Sequence, residues 1–90
     1  MEERRIVWDE NKNTANKLKH KIGFEDAQYV FADLDRIERI DENNTSGEIR
    51  WQTIGRVGSL LFVVYTERGE ETRLITAREA ERYERRSYNG

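Results

Sequence analysis

The run Leu60-Leu61-Phe62-Val63-Val64-Tyr65 is apolar at every position. A strand turns successive side chains to opposite faces, so a strand here has two apolar faces and needs cover on both. It belongs at the centre of a sheet with packing layers above and below. Because the chain has 90 residues and 36% apolar content, that sheet organises most of what can be buried. A domain of this size hides only about 60% of the surface its unfolded chain exposes.

The neighbouring segments supply the sheet's other strands. Glu48 to Ile54 alternates, with Ile49, Trp51 and Thr53 on one side and Arg50, Gln52 and Ile54 on the other, which predicts an antiparallel strand. Gly55 to Gly58 closes a hairpin into Leu60 to Thr66, and Glu67 to Glu71, with Gly69, closes a second one into Thr72 to Ile75. Thr76 and Glu79 then stand at capping-box spacing, which starts a helix at about Ala77. Around that helix Arg78, Arg82, Arg85 and Arg86 fall within about 100° of one another, opposite Ala77, Ala80, Tyr83 and Ser87.

Upstream, Arg4 to Trp8 predicts a short strand, and Asp9 an N-cap for a helix over Glu10 to Lys21. Lys17, Lys19, His20 and Lys21 sit at its C-terminal end, Gly23 is placed to stop it, and a narrow stripe of Ala15, Leu18 and Ile22 is available to hold it. Ala27, Val30 and Phe31 carry the buried stripe of a second helix over Glu25 to Ala32. Asp33 to Asp41 is expected as a strand, followed by a turn marked by Asn43, Asn44, Ser46 and Gly47. The order β-α-α-β-β-β-β-α implies one α+β domain over residues 1–90 with a mainly antiparallel sheet.

Composition removes several function classes. Without cysteine there is neither a disulfide nor a thiolate metal site. The longest apolar run is far shorter than the roughly 20 residues of a membrane span, and Met-Glu-Glu-Arg-Arg is no signal peptide, so a cytoplasmic protein is expected. A net charge of −2 argues against a nucleic-acid partner until it is mapped along the chain. Residues 22–49 hold eight acids against two bases, whereas residues 1–21 hold six bases against four acids and residues 68–90 six against five. Bringing the two ends together would give one basic face and one acidic face.

Several stretches, in order, match a known family: Trp8-Asp9, Asn16-x-x-Lys19-His20, Phe24-x-x-Ala27-x-x-Val30-Phe31-Ala32-Asp33, Arg50-Trp51-x-x-Ile54-Gly55, Leu61 to Thr66, and Arg73-Leu74-Ile75-Thr76-Ala77-Arg78 with Glu84 and Tyr88 downstream. Over roughly 80 residues the chain resembles the BrnT ribonuclease toxins of bacterial type II toxin–antitoxin systems. It departs from them at Lys21-Ile22-Gly23, where small residues are more usual, and at Thr76, where Ser is common. The resemblance implies a RelE-like fold, metal-independent RNA cleavage with no cofactor, and neutralisation by a BrnA-type antitoxin whose ribbon-helix-helix domain binds DNA.

Such cleavage needs a base for the 2′-OH, an acid for the leaving 5′-oxygen and cations on the phosphorane. With a single histidine, a two-histidine mechanism is excluded. His20, at a helix C-terminus whose dipole should favour its proton, reads as a general acid or phosphate contact, or as a residue that satisfies helix-end carbonyls. Arg50, Arg73 and Arg78 suit phosphate charge, or are surface ion-pair partners. Arg78 and Arg82, four apart on one helix face, repel each other and point to an anionic partner, while Glu81 and Arg85 attract.

Glu84 and Tyr88 read as groups that shuttle a proton or orient an arginine or, respectively, as helix surface and a packing ring. Trp51 is a stacking platform for a base or a core residue. Lys19, Lys21, Arg82, Arg85 and Arg86 are expected to hold RNA or a protein partner. The leading reading is an endoribonuclease toxin. The alternatives are a non-catalytic module that docks its basic helix on an acidic protein, and a nucleic-acid-binding protein without chemistry.

Overall fold

A computed structural model describes residues 4–90; residues 1–3, the start of the Met-Glu-Glu-Arg-Arg opening, lie outside the described residues. Within that range β1 (Arg5–Val7), β2 (Ile37–Ile40), β3 (Trp51–Val57), β4 (Ser59–Arg68) and β5 (Glu71–Glu79) form one sheet in the order β1-β5-β4-β3-β2. Three of the four pairings are antiparallel; β1 joins β5 in parallel. β4 takes the central place that its two apolar faces demand.

Leu61, Val63 and Tyr65 point to one face and pack with Phe24, Ala27, Val30, Phe31, Leu74 and Ala77. Leu60 and Phe62 point to the other and pack with Ile54 and Ala80. Helices α1 (Glu10–His20) and α2 (Phe24–Ala27) and the 3-10 segment Gln28–Ala32 precede β2, and α3 (Arg82–Asn89) ends the chain. The expected second helix over Glu25 to Ala32 is thus a single α-turn followed by a 3-10 segment, with Ala27, Val30 and Phe31 buried as their spacing requires. Val30 lies directly on β3 at Gly55, where a Cβ would collide with its side chain and approach its carbonyl.

α1 is not held by an apolar stripe. Leu18 is 72% exposed, and the residues that α1 buries are Asn13 and Asn16. Beyond Val7, β1 no longer covers the edge of β5, and Asn16 takes over: its Nδ2 donates to the Ala77 carbonyl at 2.8 Å and its Oδ1 accepts from the Ala77 N–H at 3.0 Å. One side-chain amide therefore serves as the missing strand for one residue. Asn13 ties the other end of the helix to the Phe24 N–H at 2.8 Å. The helix stops at Lys21, which adopts φ 63°, two residues before Gly23.

The largest correction concerns the last helix. Thr76 to Glu79 do not open it; they continue β5, with Val63 opposite Ala77 and Phe62 opposite Arg78. The helix begins at Arg82, with Glu84 accepting from the Glu81 N–H at 2.8 Å in capping-box geometry. Ala77 and Arg78 therefore do not belong to it, and the Arg78/Arg82 helical repulsion does not exist. The strand after the 3-10 segment is shorter than the Asp33 to Asp41 expected, and β3 lies later than Glu48 to Ile54, so the hairpin into β4 turns at Gly58.

Candidate functional site

Register defines the surface. Ile54, Phe62 and Arg78 form one row across β3, β4 and β5 on the α3 side, and Gln52, Val64 and Thr76 form the next. Extending the β3–β4 ladder by one residue sets Arg50 beside Thr66, whose partner on β5 is Arg73. The Asp41 N–H bonds to the Arg50 carbonyl at 2.8 Å and continues the sheet at that point. α3 packs over the Ile54 and Phe62 end of this face. The remainder is polar and rich in arginine.

Arg78 is fixed by two partners. Its two terminal nitrogens meet the two carboxylate oxygens of Glu84 at 2.8 Å each, and its guanidinium lies 4.2 Å from the centre of the Phe62 ring. Glu84 is 0% exposed, whereas the Arg78 side chain is 24% exposed, so the cation reaches solvent while its carboxylate does not. Burial pushes the Glu84 carboxyl up, but its bonds from Arg78 and from the Glu81 N–H outweigh this and hold it below its ordinary value. Glu84 is not helix surface but fully buried. It is the anchor that aims Arg78.

His20 ends α1 where two hollows meet. One, of about 310 Å³, is lined by Lys12, Lys19, His20, Arg50, Ile75 and Thr76 among others; the second, of about 500 Å³, includes Lys21, Ile22, Val57, Ser59 and Glu79. Partial burial, then Lys19, then Arg78 lower the pKa of His20 below 6.5, against the expectation drawn from the helix dipole. The shift favours the neutral imidazole, the form that accepts a proton.

His20, Lys19 and Arg50 thus line one hollow, and Arg78 stands on the same sheet face as that hollow's Thr76. The other anticipated residues separate from them. Trp51 packs with the first core cluster on the opposite face. The Tyr88 hydroxyl donates to Asp33 at 2.7 Å, tying the end of α3 to the loop before β2. Lys21 donates to the Leu18 carbonyl at 3.1 Å, and Arg85 to the Ala80 carbonyl at 2.7 Å. Arg82, Arg85 and Arg86 line exposed positions of α3, and the expected Glu81–Arg85 attraction gives way to a Glu81–Arg78 contact at 3.7 Å. Sequence reasoning missed Lys12, Thr66 and Thr76, whereas an arginine-orienting Glu84 was among its readings; strand alternation carried through Glu79 would have set Thr76 and Arg78 on one face.

Fold and site together define a class: a small α+β domain with a cationic groove between its first helix and an incompletely covered sheet face. The chain belongs to the family of ribonuclease toxins, BrnT, of type II toxin–antitoxin systems, whose model matches residues 8–84. The fold is similar to the crystal structure of the Brucella abortus ribonuclease toxin BrnT, with a TM-score of 0.64 and 22% identity over 89% of this chain and 100% of that one. No curated protein matches the sequence.

Proposed function

We propose that this chain is a metal-independent endoribonuclease toxin that cuts RNA in the groove between α1 and the open sheet face. The observation that carries the reading is the hollow in which His20 stands among Lys12, Lys19 and Arg50, on the sheet face where Glu84 clamps the solvent-reaching guanidinium of Arg78. His20 takes the proton of the 2′-OH, the resulting oxygen attacks the adjacent phosphorus, Arg78, Lys19 and Arg50 neutralise the phosphorane, and the bond from phosphorus to the 5′-oxygen breaks as that oxygen takes a proton from water. The products carry a 2′,3′-cyclic phosphate and a 5′-OH. Metal independence follows from the charge of the groove, because Lys12, Lys19 and Arg50 along its wall repel a dication and supply the charge it would bring.

On this reading the ninety residues act as a single RelE-like domain in the cytoplasm. A BrnA-type ribbon-helix-helix antitoxin covers the toxin, DNA is met only through that antitoxin, and the exposed Arg82, Arg85 and Arg86 of α3 hold its acidic surface. Incubating RNA with the purified protein in EDTA tests the reaction: cyclic-phosphate ends should appear, and Arg78→Ala should abolish them. Intact RNA with the native chain, or cleavage that EDTA stops, would sink it. Growth arrest indifferent to a co-expressed ribbon-helix-helix partner would remove the antitoxin pairing.

A further inference from the structure

Three side-chain donors in one cross-strand row have no acceptor. Arg50 Nε, Thr66 Oγ1 and Arg73 Nε are all buried, and none has a hydrogen-bond partner. Thr66 is 0% exposed, at the centre of the row, with Arg50 on β3 to one side and Arg73 on β5 to the other. Adjacent strands lie about 4.8 Å apart, so the two arginine backbones flank the hydroxyl at a combined separation of about 10 Å. Buried polar groups in folded proteins are almost always paired, and a cluster of orphans of the same kind marks a place where a ligand supplies the partner. Here the orphans are two cationic N–H groups and a hydroxyl, so the missing partner is an anion with several acceptor oxygens.

We propose that Arg50, Thr66 and Arg73 form a second phosphate site, which holds a non-scissile phosphodiester of a single-stranded RNA. The proposal rests on the RNA-cleavage reading for the identity of the ligand. Rows two residues apart along a strand are separated by about 6.7 Å, so the Thr66 row and the Phe62–Arg78 row lie about 13 Å apart. Arg78 is turned onto Phe62 and Glu84 and does not reach into the cradle. The two sites hold different phosphates of one strand, and Arg50, which lines both the groove beside His20 and the cradle row, bridges them.

Two carboxylates border the cradle. Glu48 feels both Arg50 and Arg73 but is bound by Arg68 at 2.9 and 3.3 Å, and Glu71 lies 3.9 Å from Arg73. Neither accepts a hydrogen bond from the orphaned atoms.

A short 2′-O-methyl oligonucleotide, which cannot be cleaved, tests the cradle separately from the chemistry. In 1H–15N spectra the Arg50 and Arg73 Nε–H signals, assigned with Arg50→Lys and Arg73→Lys, should move when the oligonucleotide is added. Thr66→Val should weaken binding about five-fold and Thr66→Ser should keep it, while each arginine replaced by Gln should lower the salt slope of the affinity by about 0.7. Unmoved Nε–H signals, or Thr66→Val binding as tightly as the native chain, would overturn the proposal. Movement with polyglutamate and none with the oligonucleotide would overturn it in favour of a carboxylate-bearing protein surface. A chain that cuts RNA while these signals stay still loses only the cradle; signals that move while RNA stays intact support the cradle and remove only the cleavage reading.

Discussion

Glu84 shows how one side chain can do three jobs through a single carboxylate. It caps α3 through the Glu81 N–H, neutralises Arg78 through two 2.8 Å bonds, and by doing so keeps the guanidinium over Phe62. Replacing it with Gln removes the charge and one acceptor but little volume. Because Arg78 remains partly solvated, the cost should lie below that of breaking a fully buried pair, at about 2–3 kcal/mol by chemical denaturation. Cleavage should fall further than the folded fraction, since Arg78 loses its aim. Its folded pKa lies below 4.5, so the stability it contributes is present above pH 4.5 and is lost as pH falls through the lower folded value. An E84Q chain should lose that part of the acid transition; an unchanged acid limb would show that the carboxylate stabilises nothing.

At the scale of elements, α1 is docked by amides. A helix with Leu18 exposed and Asn13 and Asn16 buried reverses the usual assignment of faces, because α1 completes a sheet edge and does not cover a sheet face. Asn16→Leu should therefore destabilise the protein despite adding apolar volume. It leaves the Ala77 N–H and C=O without partners, at a cost of about 2–4 kcal/mol for the two groups. It should also displace His20, one turn further along the same helix. A variant as stable as the parent in urea would show that the edge needs no cap.

The same element explains why the start of the last helix was misread. Thr76-Ala77-Arg78-Glu79 has the composition and capping spacing of a helix start, yet β4 offers it a partner strand and Asn16 closes its other edge, so tertiary pairing overrides local preference. Neither partner is adjacent in sequence. By contrast, the centrality of β4 was legible from six residues, since a strand apolar on both faces has one place to go. His20, Arg50 and Arg78 were legible as chemical types and Glu84 as a group that could orient an arginine, whereas the amide edge cap and the Thr66 row depend on register that a sequence read locally does not carry.

For the whole molecule, the charge map becomes an arrangement. The acid-rich middle of the chain supplies β2, the sheet edge opposite β1, where Glu38 accepts from the Tyr65 hydroxyl at 2.7 Å and pairs with Arg4. The basic ends converge on the α1 edge and the open face, so a chain of net charge −2 still presents a cationic groove. No helix among the described residues is long and apolar enough to cross a membrane.

The central claim is that a neutral His20 in this groove takes the proton from the 2′-OH, and the pH dependence of cleavage in EDTA tests it most directly. Partial burial, Lys19 and Arg78 place the pKa of His20 below 6.5. The rate should therefore be flat around neutral pH and fall on the acid side with an apparent pKa under that value, and His20→Ala should lose both the activity and the acid limb. A rate that rises as pH drops through 6.5, or an acid limb retained in the His20→Ala chain, would contradict the account.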